Sequence, residues 1–420
     1  MISTSNTSRQ RASFVLTLLL LAYIFNYLDR QILGILAGPI IADLGLRDTD
    51  FGILTGPPFA VLYSVLGIPF AFVADRTSRS RVIAGALAFW SLITGLCGTA
   101  SSFWQLFACR MGVGIGEAGG VAPSYALLAD YFEPQRRARA LAIFSLGVPI
   151  GLGFGTLIGA YIAHAISWRA AFFVMAVAGL LLAPVLLIFV RDPARQALEL
   201  RPAPIRQVFP LLARKPAFWL LAFAASSSSL CGYGLATWTP SVLERSFHMG
   251  LIARGQFFAS VVVIGGCIGV FSGGWLADRL GALDRAWYAR LPAIAWIITA
   301  PTFAMGLMAP NLWAAWVLLL IPNALNILWL GPVITAVQHL VPREMRATAS
   351  ASFLLINNLI GLGVGPPLIG RLSDALKHSY GADALRYAAV SCTSFYILAA
   401  LLMLLSAPGL RAAWLDDRNS

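Results

Sequence analysis

Apolar stretches follow one another almost without pause along this chain, parted by short segments where arginine, aspartate, glycine and proline collect. A helix of about 20 apolar residues crosses the ~30 Å hydrocarbon core of a bilayer. The pattern predicts twelve such helices, at about 14–38, 51–74, 82–100, 103–131, 138–164, 168–190, 217–244, 253–277, 287–309, 312–340, 347–370 and 386–407. One longer polar connection, 191–216, separates the sixth from the seventh and is rich in proline and arginine (Arg191, Pro193, Arg195, Arg201, Pro202, Pro204). The expected fold class is an all-α membrane protein with twelve transmembrane helices in two pseudo-symmetric six-helix bundles. Residues 1–190 form the N-terminal bundle, 191–216 a cytoplasmic linker and 217–420 the C-terminal bundle. The first apolar run starts near Phe14 and continues past Asp29 and Arg30 to Pro39. That exceeds a signal-peptide core, so this helix is expected to stay in the mature chain.

An internal repeat supports the two bundles. Ala71-Phe72-Val73-Ala74-Asp75-Arg76 returns as Gly274-Trp275-Leu276-Ala277-Asp278-Arg279, about 200 residues later. Arg139-Ala140 before the fifth span matches Arg346-Ala347 before the eleventh. Both of those spans carry small residues four apart: Gly147, Gly151, Gly155 and Gly159, then Gly361 and Gly365. Such stripes let two membrane helices approach closely. Parallel repeats of this kind imply an axis along the membrane normal and a site that faces either side of the bilayer in turn.

Composition narrows the class further. Hydrophobic residues are 59% of the chain and charged residues 11%, against about 25% charged in soluble domains. The net charge of +12 would suit nucleic acid only if it formed a patch. Instead the basic residues lie in short loops on one side of the spans, among them Arg76, Arg79, Arg81, Arg136, Arg137, Arg279, Arg285, Arg290 and Arg411. The opposite loops hold fewer: Arg47, Arg169, Arg245, Arg254, Arg371, Lys377 and Arg386. That bias places both termini in the cytoplasm and removes nucleic acid as a partner. The five cysteines, Cys97, Cys109, Cys231, Cys267 and Cys392, form no CxxC pair and read as small buried hydrophobes without disulfide or metal. No nucleotide loop, metal motif or nucleophile–base set is present in the sequence, so neither a cofactor nor enzymatic chemistry is expected. Energy must then come from an ion or substrate gradient.

Four charged residues fall deep inside predicted spans: Asp29 and Arg30 in the first, Arg110 and Glu117 in the fourth. A charge at mid-membrane costs ~2.5–3.5 kcal/mol even on the lenient insertion scale, so such residues face a cavity or one another. Asp29 and Arg30 are adjacent and point ~100° apart, so each must find its partner on another helix. Counting ~1.5 Å per residue puts that pair between Arg110 and Glu117 in depth. A carboxylate that meets an arginine in only one conformation would take up and release a proton during a cycle. Glu117, set among Gly112, Gly114, Gly116, Gly119 and Gly120, is the leading proton-coupling residue, with Asp29 second. Arg30, Arg110 and Tyr27 are the candidates for substrate binding and gating. Asp75, Arg76, Asp278 and Arg279 are the candidates for a cytoplasmic gate that holds the halves together when the inside is closed. Ser226 to Ser229 form either a bendable polar gate or a packing face. Asn323, Asn326, Asn357 and Asn358 either line the cavity or bond between helices. Pro149, Pro240, Pro322 and Pro332 are expected to mark bends.

The paired Gly-x-Leu-Ala-Asp-Arg-x-Gly loops resemble the major facilitator superfamily over essentially the whole chain. The second copy, Gly274 to Gly281, matches well; the first has Ala71 and Ser78 where glycines are usual. Within that superfamily, Asn26-Tyr27-Leu28-Asp29-Arg30 and Gly112-x-Gly114-x-Gly116-Glu117-Ala118 resemble the spinster family. This resemblance implies that the first and fourth spans line a central cavity, and that the substrate is amphipathic or lipid-like, as with lysolipid and sphingosine-1-phosphate exporters. The expected function is a proton-coupled secondary transporter working by alternating access, a monomer in a bacterial inner membrane or its equivalent, with protons and membrane lipids as further partners. The alternative is a proton symporter of a small organic anion, with Arg30 and Arg110 on its carboxylate.

Overall fold

A computed structural model describes residues 2–193 and 205–415, without the side chains of residues 2–10, 134, 135, 138, 205, 206, 278 and 343. Arg195, Arg201, Pro202 and Pro204 of the expected linker lie outside the described residues, as does the side chain of Asp278.

The twelve spans are helical. Span one is Ile2–Ile35, continued past Leu36 by Ala37–Leu44; span two is Asp48–Thr55 and Pro57–Arg76; span three is Arg79–Cys97. Span four comes in two pieces, Phe103–Glu117 and Val121–Tyr131, and span five in Pro134–Ser145 and Gly147–Ala165. Span six is Trp168–Phe189. After a short helix, Ile205–Ala213, come span seven (Pro216–Arg245), span eight (Leu251–Leu283) and span nine (Trp287–Leu307). Span ten is Leu312–Leu325 and Leu330–Gln338, span eleven is Arg346–Tyr380, and span twelve is Ala384–Cys392 and Ser394–Ala413.

Ten described stretches are by themselves long and apolar enough to cross a bilayer. The last of these, Arg346–Ala413, runs 68 residues and contains spans eleven and twelve. Span four is absent from the ten because its pieces are 15 and 11 residues long. Its helix stops at Glu117, where Gly119 and Gly120 remove side-chain packing and Pro123 removes an N–H donor. Span ten breaks at the matching place, Asn326–Trp329, ahead of Pro332. Bends therefore accompany Pro149 and Pro332, whereas the helix of span seven runs unbroken through Pro240. Spans eight and eleven continue past the expected ends, to Leu283 and Tyr380, so Arg371 and Lys377 are helical rather than in a loop.

The chain forms two compact units. One holds the first six spans together with Met249–Val263; the other holds the rest. Within each unit the same partners meet: spans one and five correspond to seven and eleven, three and six to nine and twelve, three and four to nine and ten. The glycine stripes make the first of these contacts possible. A Cβ on Gly151 would lie 2.5 Å from the Ile24 carbonyl oxygen, and one on Gly155 2.7 Å from that of Leu28. In the second unit a Cβ on Gly361 would lie 2.7 Å from Ser229 Cβ. Because the obstruction at Gly155 is backbone, it cannot swing aside. Gly155→Val is therefore expected to destabilise the folded transporter by at least the ~1–3 kcal/mol of an overpacked core. Thermal melting in detergent checks this, with Gly67→Ala, where nothing lies within 4 Å, as a control that melts like the parent.

In the second unit the end of span twelve is tied down. Arg411 donates Nε to Asp284 Oδ1 at 2.8 Å and Nη2 to Oδ2, and the Ala286 N–H adds a 3.0 Å bond. Beyond it, Trp414 stacks on His339 at 4.3 Å and on Tyr288 at 5.1 Å, and the Leu415 N–H donates to the His339 carbonyl at 2.8 Å. The Arg411 bonds, then that of Ala286, hold the Asp284 carboxyl below its ordinary range, at about 2. A depressed carboxyl contributes its stability in full above its unfolded value, ~3.9, and loses it as pH falls through about 2. Protection of the Leu415 amide from hydrogen exchange is thus expected to hold down to about pH 4 and fade below it. In Asp284→Asn that protection should already be weak at neutral pH.

Candidate functional site

The in-span charges meet inside the first unit. Arg30 donates Nε to Glu117 Oε2 at 2.8 Å, with side-chain exposures of 9% and 0%. Asp29, buried beside it, accepts a 2.7 Å hydrogen bond from the Thr94 hydroxyl of span three. Neither residue pairs with its neighbour in sequence; each finds a partner on another helix, as their ~100° divergence requires. Arg110, also buried, makes no ion pair with either carboxylate among the described residues, and its Nε lacks a hydrogen-bond partner. It still acts electrostatically on Asp29 and Glu117.

Rings surround the cations. The Arg30 guanidinium lies 4.5 Å from the centroid of Tyr63, 4.8 Å from Phe59 and 4.9 Å from Tyr27. Arg110 reaches the same Phe59 ring, at 5.1 Å. One aromatic ring of span two is thus shared by both arginines. A desolvated cation over a ring gains about 2 kcal/mol or more, which offsets part of the cost of holding two guanidinium groups away from water.

Glycines bring span four close enough for this. A Cβ at Gly114 would sit 2.8 Å from the Phe59 carbonyl oxygen, and one at Gly116 2.6 Å from Trp90 Cβ. With no side chains there, spans two and three close on span four from either side and bury Glu117. Asn26, itself buried, faces the carboxylate, yet neither its amide nor Glu117 Oε1 makes a hydrogen bond of full geometry. Tyr23, Asn26, Trp90, Gly120 and Ser124 line a void of about 10 Å³, roughly the room one water needs.

Of the expected gate residues, Asp75 pairs with Arg79 of its own unit at 3.1 Å. Arg79 also pairs with Asp130, and the Ser80 N–H donates to Asp192 at 3.0 Å. Spans two, three and four and the end of span six are thereby tied together at one end. Arg76 lies over its own Phe72 ring at 3.3 Å and Arg279 over Trp275 at 4.4 Å, the same i−4 arrangement in both copies. Arg254, expected in an outer loop, is instead 2% exposed in the first unit, with Nη2 3.5 Å from the Ile35 carbonyl. The helix of span eight begins at Leu251 and carries it inward.

The second unit answers the four charges with neutral groups. Ser229 donates to Asn357 Oδ1 at 2.8 Å, and Tyr396 to Asn326 Oδ1 at 3.0 Å. Ser226 and Ser227 bond carbonyls four residues back in their own helix, and Asn323 does likewise. These bonds favour packing over a polar gate for the serines. The cysteines are free thiols, although Cys231 and Cys392 approach to 3.8 Å between sulfurs. Thr94, Phe59 and Arg79 carry much of the geometry and are invisible to a search for charges deep inside spans, being a hydroxyl, a ring and an arginine at the very start of its helix.

Known proteins resemble this chain along nearly its full length. The family model of the Major Facilitator Superfamily matches residues 19–366. An MFS-type efflux pump of Mycolicibacterium smegmatis is 36% identical over 90% of this chain and 88% of its own. Protein spinster homolog 1 of Xenopus laevis is 28% identical over 92% of this chain and 78% of its own. Among solved structures, a bacterial homolog to the human lysosomal transporter Spinster, in an inward-facing and unoccupied conformation, aligns with TM-score 0.85 at 28% identity, over 97% of this chain and 99% of that one. With its twelve spans, its repeated helix pairing and these relatives, the chain belongs to the Major Facilitator Superfamily and is a spinster-like membrane transporter, not an enzyme.

Proposed function

We propose that this transporter couples proton movement to the passage of an amphipathic, lipid-like substrate by alternating access, and that the Arg30–Glu117 pair is the coupling element. The observation that carries this reading is a buried 2.8 Å ion pair between spans one and four inside an aromatic cage. While the pair is closed, Glu117 is held as an anion. When the two spans part, or an anionic head group takes Arg30, the carboxylate is left in apolar surroundings, where an anion is too costly and a proton is taken up. Asp29, held by Thr94, is the second proton site. Arg110, buried without a carboxylate partner, supplies the standing positive charge for a head group, with Tyr27 in the wall. Asp75, Arg76, Asp278 and Arg279 form the cytoplasmic gate. Both termini are cytoplasmic, residues 1–190 and 217–420 are the two bundles, and the working form is a monomer in a bacterial inner membrane or its equivalent. The name of the Mycolicibacterium smegmatis relative, an efflux pump, supports outward transport.

Chain length tests the substrate class. Alkyl phosphates of increasing length should bind more tightly by up to ~0.8 kcal/mol for each fully buried methylene. The same series on Arg110→Ala should lose affinity uniformly at all lengths. The buried, unpaired Arg110 also suits a compact anion. Tight binding of succinate, with no gain along the alkyl series, would replace the lipid reading with the organic-anion symporter.

A further inference from the structure

Spans nine and twelve pack together in the second unit and leave a cleft of about 250 Å³ at one end. It is lined by Ala286, Arg290, Leu404, Ala407, Pro408 and Arg411. Two half-exposed cations thus stand beside an apolar cleft between two helices of the second unit, whereas the Arg30–Glu117 pair belongs to the first. Asp284 lies between them and takes Nε and Nη2 of Arg411 and, at 3.5 Å, Nη1 of Arg290. One carboxylate against two guanidinium groups leaves a net positive charge. Each guanidinium carries five N–H donors, more than Asp284 uses, so donors remain for a second anion.

Beyond the cleft, the two helices carry exposed hydrocarbon along their length. One turn and two turns along span nine from Arg290 come Ile294, Ile297 and Ile298, exposed by 45%, 45% and 42%. Along span twelve from Arg411 come Leu405, Leu404 and Leu401, exposed by 66%, 39% and 56%. In a multi-pass membrane protein these faces meet lipid tails. Arg411 lies in the last turn of span twelve, and Trp414, just beyond that helix, stacks on Tyr288 of span nine. Basic pockets between membrane helices are how lipid head groups are recognised.

We propose that this cleft is a binding site for an anionic diacyl phospholipid, whose phosphate bridges Arg290 and Arg411 and whose chains lie along the exposed leucines and isoleucines of spans nine and twelve. The phosphodiester replaces water on the guanidinium donors left over from Asp284, and the acyl chains take the place of annular lipid. The lipid is a resident ligand of the second unit, distinct from the transported molecule.

Native mass spectrometry of the full chain, titrated with dioleoyl phosphatidylglycerol, tests the site. Phosphatidylcholine and sn-glycerol 3-phosphate are the comparison ligands. Tight phosphatidylglycerol binding to the parent is expected to weaken about fivefold for each arginine removed, in Arg290→Ala and in the Arg290→Ala/Arg411→Ala double variant. Because Arg411 also anchors the tail, Leu404→Glu serves as a second probe that keeps both arginines and places a negative charge in the cleft. It should lose binding too, while Arg371→Ala, an exposed arginine elsewhere, should not. Equal affinity for phosphatidylcholine, equal affinity for glycerol 3-phosphate, or undiminished binding in Arg290→Ala and Leu404→Glu would each overturn the proposal.

Discussion

Glu117→Gln is expected to abolish net transport driven by a pH gradient while substrate exchange across the membrane persists. The glutamine keeps the shape of the side chain and still offers Arg30 an oxygen at the position of the 2.8 Å contact. What it loses is the ability to bind and release a proton. Exchange of labelled for unlabelled substrate needs only the closing and opening of the site, so it survives. Net uphill movement needs the proton, so it stops. Uptake into proteoliposomes with and without a pH gradient, beside counterflow at equal pH, separates the two. Proton dependence that is unchanged in the variant would move the role to Asp29.

Arg30→Ala is expected to be worse for the fold and to silence both modes. Removing the arginine strands Glu117, whose Oε1 already lacks a hydrogen bond of full geometry, and empties the cage of Tyr27, Phe59 and Tyr63. Breaking a buried pair by deleting one partner costs ~3–5 kcal/mol. A lower melting temperature should accompany normal membrane insertion and a sharp loss of transport. Adding Glu117→Ala to Arg30→Ala removes the stranded carboxylate, so the double variant should regain part of the lost stability, the sign expected of a coupled pair. Near-normal transport by Arg30→Ala would contradict the role given to it here.

Much of this architecture is legible in the sequence because membrane helices must satisfy their own backbone and advertise it as long apolar runs. The Asp75–Arg76 and Asp278–Arg279 repeat reveals the two halves for a similar reason: a short charged loop between apolar runs is easy to find. The four in-span charges stand out against hydrocarbon, and adjacency alone shows that Asp29 and Arg30 must look to other helices. Which helices they find is a different matter. Thr94 holds Asp29 across 65 positions of sequence, and Glu117 meets Arg30 across 87; no local pattern encodes either contact. Phe59 joins both arginines, yet a phenylalanine in a membrane span carries no signal of its own. An arginine at the very start of a span, such as Arg254, reads as a loop charge, and nothing local in the sequence shows that it packs buried against the Ile35 carbonyl, 219 positions away. The tail clasp of Asp284, His339 and Trp414 was equally hidden, since it assembles from three separate segments.

The central claim is that substrate and proton move together through the Arg30–Glu117 element. Its most direct test is proton flux driven by substrate alone. Proteoliposomes with no imposed pH difference and a pH dye inside receive dodecyl phosphate outside. A change of internal pH that follows the substrate gradient in the parent, and is absent in Glu117→Gln, is the predicted result. Substrate flux in the parent with no movement of internal pH would contradict the account.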